Sequence, residues 1–350
     1  MQKYSVLIAT AALLLVTVIG LAGCDAADTA SSTTNTKPIT VVWYPNESAN
    51  DYEGSRNEFG RLIEEATGRK VEHKLTTDYT IAIESLASGA ADIGAVMGAV
   101  GYIEAKNKNS RVDVLFVNSG VSGTLDDAIY YSWLCVNVGD ADKYKEGDGY
   151  SITNVAGKRM SFVSNSSTSG FKVPTASIID HFKKTPQWAN LSVDDLVEGG
   201  SKAFFSQVLF GGSHQGSAFN LLSGKADVAA FCDTEVDIYT DLKEGEENKV
   251  GSVYNVKNDA TAPFNTVRGK EFVIIASTPV LNGPNAYNPQ NLSAEEIKKI
   301  RDIFTSEATA NNEHFFYNPD SGNVGFYKKT NNECYLQVND SWFNPIREMN

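Results

Sequence analysis

In the stretch Ser164-Asn165-Ser166-Ser167-Thr168-Ser169-Gly170-Phe171-Lys172-Val173-Pro174, hydroxyls crowd around a glycine. An apolar run, Arg159–Val163, comes before it, and Thr175–Phe182 after it has apolar residues at helical spacing. A strand that turns through serines into a helix start presents O–H and backbone N–H groups where the helix dipole is positive. That arrangement can cradle a small oxyanion without a formal positive charge. A plain Ser-rich loop with an N-cap would carry the same letters, so the surrounding elements must decide.

Those elements repeat. Leu86-Ala87-Ser88-Gly89-Ala90-Ala91-Asp92-Ile93-Gly94-Ala95-Val96 parallels Leu222-Ser223-Gly224-Lys225-Ala226-Asp227-Val228-Ala229-Ala230-Phe231. Each reads as a helix end, a glycine C-cap and a buried parallel strand. Upstream, the first copy predicts strand 39–44, helix 58–66, strand 70–75 and a helix over 79–88. The second predicts strand 159–163, the Ser-rich turn, helix 173–183, strand 204–210 and a helix over 215–222. Two β-α-β-α-β units call for an α/β fold of two lobes, each an open, mostly parallel sheet with helices on its faces. The long β runs 128–138 and 271–277 would form a two-strand hinge. A C-terminal helix over 294–304, with Ser293 and Glu296 as its capping box, returns to the first lobe. The polar, Gly-rich segments 139–150 and 241–268 are expected as surface loops.

In open α/β sheets ligands gather at the C-terminal strand ends. Here those ends are Tyr44-Pro45-Asn46, Thr76–Tyr79, Met97–Tyr102, Ser166–Gly170, Gly211–Gln215 and Cys232-Asp233-Thr234. Two such crevices facing each other make one cleft for a small polar ligand. Tyr44, Tyr102 and His214 are candidate contacts, Asp233 is equally suited to an N-cap, and Thr76, Thr77 and Asp78 suit helix capping.

The N-terminus adds a location. Lys3, an apolar run from Val6 to Ile19 and the ending Leu21-Ala22-Gly23-Cys24 describe an export signal over residues 1–23. The ending resembles the lipobox of bacterial lipoproteins, which implies lipidation of Cys24. Residues 24–37 are small and polar and read as a tether. The net charge of the whole chain is −13, without a basic stripe. That argues against nucleic-acid partners, which need phosphate neutralisation. Cys135 and Cys232 sit in apolar runs that predict buried free thiols, although an exported chain containing them and Cys334 could also form one disulfide. The four histidines show no zinc spacing, so neither metal nor cofactor is expected.

Thr-Thr-Asp-Tyr at 76–79, Ser-Gly-x-Ala-Asp at 88–92, Tyr102, Ser-Ser-Thr-Ser-Gly with Pro174, Val-Leu-Phe-Gly-Gly-Ser-His at 208–214 and Ser-Gly-Lys-Ala-Asp at 223–227 together carry a resemblance. The chain resembles the PhnD-like substrate-binding lipoproteins of phosphate, phosphite and phosphonate ABC transporters. The resemblance implies a type II periplasmic-binding-protein fold, consistent with the lobes expected from the repeat, lobe 1 at 38–133 and 270–350 and lobe 2 at 134–269. It implies a monomeric receptor on the extracytoplasmic face of the cell membrane, handing its ligand to a permease. It places Ser167, Thr168 and Ser169 on the phosphonate oxygens, with Tyr44, Tyr102 and His214 closing the other sides and Asp233 facing the organic substituent. The sequence departs from the family pattern at Gln215, where an acidic residue is usual, and at Ala99, where proline is usual. The first departure weakens the case for a ligand amine. Other readings keep their place. Trp43, Tyr44, Tyr79 and Tyr102 could stack on a neutral or aromatic nutrient. Ser213 or Ser217 with His214 could serve a surface hydrolase, though no nucleophile elbow is present. A sensor or adhesion lipoprotein could reuse the fold.

Overall fold

The computed structural model describes residues 36–47 and 49–349. The signal, Cys24 and all but the last two residues of the tether lie outside the described residues.

Two mixed sheets organise the chain. In the first, β1 (Ile39–Trp43), β2 (Val71–Leu75) and β3 (Ile93–Ala95) are mutually parallel in the order β3-β1-β2. They are linked by α1 (Glu53–Thr67) and α2 (Tyr79–Ser88), and α3 (Ala99–Lys108) leads to β4 (Asp113–Asn118). The second repeat copies this wiring. In the second sheet, β6 (Arg159–Phe162), β7 (Gln207–Phe210) and β8 (Val228–Cys232) lie in the order β8-β6-β7, linked by α4 (Val173–Phe182) and α5 (His214–Leu222). The parallel pairs are those of the repeat, because a helical crossover returns the chain in the same direction.

Antiparallel strands complete both sheets. β5 (Ile129–Asn137) pairs with β8, and also with β11 (Glu271–Leu281) along the whole length from Asn137–Phe272 to Ile129–Leu281. The chain crosses between the sheets twice, entering at β5 and leaving at β11. After β11, β12 (Pro284–Tyr287) inserts between β3 and β4, and β13 (Tyr335–Leu336) closes the other side of β4. The segment 241–268, expected as loop, instead holds most of a hairpin, β9 (Thr240–Glu244) and β10 (Val253–Val256), at the edge of the second sheet. All of β9 beyond Thr240 is exposed, so it never needed the apolar alternation that marks a packed strand.

Local chemistry sets the helix ends. Asp78 accepts from the N–H groups of Thr80 and Ile81 and caps α2. Ser293 and Glu296 form the expected capping box of α6 (Ala294–Phe304). The first-lobe core gathers Trp43, Phe59, Phe116 and Phe304, with Phe59 and Phe304 centroids 4.5 Å apart. Truncating a ring buried like Phe59 to alanine typically costs about 3–5 kcal/mol. α1 starts at Glu53, five residues ahead of the expected start at residue 58, and β7 starts at Gln207, because Phe204 and Phe205 pack into the second-lobe core from the preceding turn.

Candidate functional site

The C-terminal ends of the two repeats face each other around a cavity of about 60 Å³, lined from both sheets. Ser167, Thr168, Ser169 and His214 line it, together with Tyr44, Asn46 and Tyr79.

The Ser-rich turn is a single π-helical turn, Thr168–Lys172, running directly into α4. Ser167 caps it, its Oγ accepting from Gly170 N–H at 3.1 Å. The N–H groups heading such a turn lack intrahelical acceptors, and here they lie at the cavity wall. A Cβ on Gly170 would stand 2.2 Å from Val163 Cγ2, so this tight return from β6 requires glycine. Thr168 Oγ1 accepts from Val100 N–H of α3 at 2.9 Å, so the starts of two helices meet across the cleft. Ser166 Oγ donates to Glu104 at 2.9 Å, and Asn46 Oδ1 accepts from His214 N–H at 3.1 Å. These three bonds join the two repeats.

His214 is buried, and Cys232 N–H donates to its Nδ1 at 3.0 Å. With Nδ1 an acceptor, the neutral ring carries its hydrogen on Nε2. Nε2 faces the cradle, 3.5 Å from Ser167 Oγ. Burial pushes its pKa down to about 3, so near neutral pH the ring is an uncharged donor. Tyr44 stacks on Tyr79 with centroids 4.3 Å apart, and Tyr79 OH accepts from Asn46 Nδ2 at 2.8 Å. A Cβ on Gly101 would lie 1.8 Å from the Tyr44 hydroxyl, so glycine there makes room for it.

Two expected residues lie elsewhere. Tyr102 is outside the cavity: its hydroxyl donates to Asp340 at 2.7 Å and its ring packs on Phe343. The start of α3 reaches the cleft through the backbone N–H of Val100, while the Tyr102 side chain, half a turn further on, packs into the core on Phe343. Asp233 lines an adjoining cavity of about 200 Å³ that shares Tyr130, Thr234 and Tyr327 with the first. Its Oδ1 accepts from Tyr131 N–H at 2.9 Å, and burial pushes its pKa up to about 7. Trp43 is core, its Nε1–H donating to His73.

Sequence reasoning missed Glu47 and Glu235, each just beyond a strand-end segment singled out for ligand contact. Both line the cavity, one from each repeat. Glu47 is 2% exposed, and among the described residues no donor stands in hydrogen-bonding geometry to either carboxyl oxygen. Burial, then the facing Glu235 charge, raises its pKa; burial raises that of Glu235 too. Gln215 holds Glu235 in place, its Nε2 donating to the Glu235 carbonyl at 3.0 Å and carboxylate at 3.3 Å. The guanidinium of Arg56 donates to the backbone carbonyls of Glu47 and Ala49. Among the described residues, no lysine or arginine lines the cavity.

Two wired-alike α/β repeats, joined by paired strands and closing on a small polar cavity, define a two-lobed solute-binding protein. Residues 41–328 match the family described as ABC transporter, phosphonate, periplasmic substrate-binding protein, and the chain belongs to that family. It is 29% identical to the phosphate-import protein PhnD of Mycolicibacterium smegmatis over 261 residues, 69% of this chain and 73% of that one. In fold it is similar to a binding protein of an ABC phosphonate transporter from Pseudomonas aeruginosa, with TM-score 0.60, 20% identity, and 89% and 85% of the two chains covered. It is similar also to PhnD1 of Prochlorococcus marinus, solved with methylphosphonate, with TM-score 0.61, 14% identity, and 90% and 97% covered.

Proposed function

We propose that the cleft captures a phosphonate, phosphite or phosphate-class oxyanion and delivers it to an ABC permease. The observation that carries this reading is the convergence of Ser167, Thr168, Ser169 and the neutral Nε2–H of His214 on one cavity of about 60 Å³. Neutral donors on buried side chains hold an anion through charge-assisted hydrogen bonds. Residues 38–133 and 270–350 move as one lobe and 134–269 as the other, with β5 and β11 as the hinge. Tyr44 and Tyr79 form the wall that the second lobe closes against. Asp233 bounds the adjoining cavity, where an organic substituent would extend.

The receptor acts as a monomer, anchored by a lipid on Cys24 at the extracytoplasmic face, and has no catalytic step. The Cys232 N–H bond to Nδ1 supports the last point, because it keeps the hydrogen on Nε2 and denies Ser167 a base. A thermal-shift panel with confirming calorimetry tests the ligand class. Saturation at about 100 times the dissociation constant stabilises by about 2.7 kcal/mol. If no phosphorus oxyanion raises the melting temperature at millimolar concentration, the assignment fails.

A further inference from the structure

An anion cavity without a cation, walled partly by two carboxyl groups, calls for a reason. Glu47 approaches from the loop after β1 and Glu235 from the loop after β8, so they meet where the repeats face each other. Among the described residues, no donor stands in hydrogen-bonding geometry to either Glu47 carboxyl oxygen, and none to the buried Gln215 Oε1. Opposite them, the cradle supplies donors: the Ser167–Ser169 turn and His214 Nε2–H. The cavity thus has a donor side and an acceptor side.

We propose that Glu47 and Glu235 make the site selective for an oxyanion that still carries a proton, the ligand's P–OH donating to the Glu47 carboxyl. This rests on the oxyanion-capture reading above. Two abutting carboxyls readily share one proton, which leaves the pair one negative charge and free lone pairs. A ligand with an acidic O–H satisfies them. A tetrahedral dianion with no proton sets lone pair against lone pair and charge against charge, and is excluded by that repulsion. Sites built around a ligand O–H reject analogues lacking it by large factors, because the buried partner is then left unpaired. Hydrogenphosphate and hydrogenphosphonate carry the required proton; sulfate has the same shape and lacks it.

The test is calorimetry with inorganic phosphate, methylphosphonate and sulfate on the wild-type chain, Glu47→Gln and Glu235→Gln, each checked for a cooperative melt. The wild type is expected to prefer phosphate to sulfate by at least about 100-fold. Glu47→Gln supplies an amide donor to a bare oxygen, so the preference should shrink to about tenfold or less, mostly through tighter sulfate binding. Glu235→Gln should narrow it in the same direction, and it decides the matter if the first variant does not fold. Equal wild-type affinities for phosphate and sulfate overturn the proposal, as does an unchanged ratio in the folded variants, while oxyanion capture stands. A wild type that binds neither phosphorus ligand overturns the capture reading and this inference together.

Discussion

Replacing His214 with alanine removes a ring donor from the cradle and leaves Cys232 N–H without its acceptor. A hydrogen bond from a neutral donor to a charged group contributes about 1.5–3 kcal/mol. At about 1.4 kcal/mol per decade, affinity for methylphosphonate or phosphate should fall roughly 10- to 150-fold. The orphaned N–H costs about 1–3 kcal/mol of stability in addition, lowering the melting temperature without ligand. Titration calorimetry on both proteins, repeated from about pH 6 to about pH 8, separates a neutral donor from a cationic one. Because burial holds the His214 pKa near 3, the ring stays uncharged across that range. The ratio of the two affinities should therefore be flat with pH. A ratio that grows toward the acid end would refute the neutral-donor argument, and equal affinities would refute the contact itself.

Thr168→Val removes both a cradle hydroxyl and the acceptor for Val100 N–H, and calorimetry should show at least about a tenfold loss of affinity. Tyr102→Phe should leave affinity unchanged while costing about 1 kcal/mol in denaturant unfolding, since its hydroxyl serves Asp340. Raised carboxyl pKa values set a pH trend for the ligand-free protein. Asp233, pushed up to about 7, and the Glu47–Glu235 pair are favoured in protonated form. Their contribution is complete below the unfolded carboxylate range and is lost as pH rises through the folded values. The melting temperature should drop between about pH 5 and about pH 8 by at least about 2 °C, and by less in an Asp233→Asn, Glu235→Gln double variant.

The repeat was legible because its signals are local: Ser-Gly-x-Ala-Asp marks a helix stop and a buried strand whatever lies around it. The convergence of the Ser-rich turn with His214 followed from the same wiring, since parallel strands bring their ends to one edge. Tyr102 shows the limit of proximity in sequence: α3 meets the cleft through a backbone N–H of its first turn, while the Tyr102 ring packs into the core on Phe343. Glu47 and Glu235 were hidden for another reason. Each is an unremarkable loop carboxylate until the lobes bring them together, and no local pattern records a neighbour 188 positions away. β9 escaped notice because an exposed edge strand carries no burial pattern, and β10 because its alternation, with Tyr254 and Val256 buried, spans only four residues.

The position of β12 has a consequence for how the chain becomes a protein. It lies between β3 and β4, yet it follows them by the whole length of the second repeat. As the polypeptide emerges from its N-terminus, β1 to β4 arrive with a gap in the middle of their sheet. The second repeat has all the strands of its sheet as soon as residue 281 is out. The inserted lobe can therefore finish folding first, and the first lobe closes only when Pro284–Tyr287 threads into the waiting slot. Until then β3 and β4 present unpaired edges, which makes the interval the period when the chain is most open to misassembly.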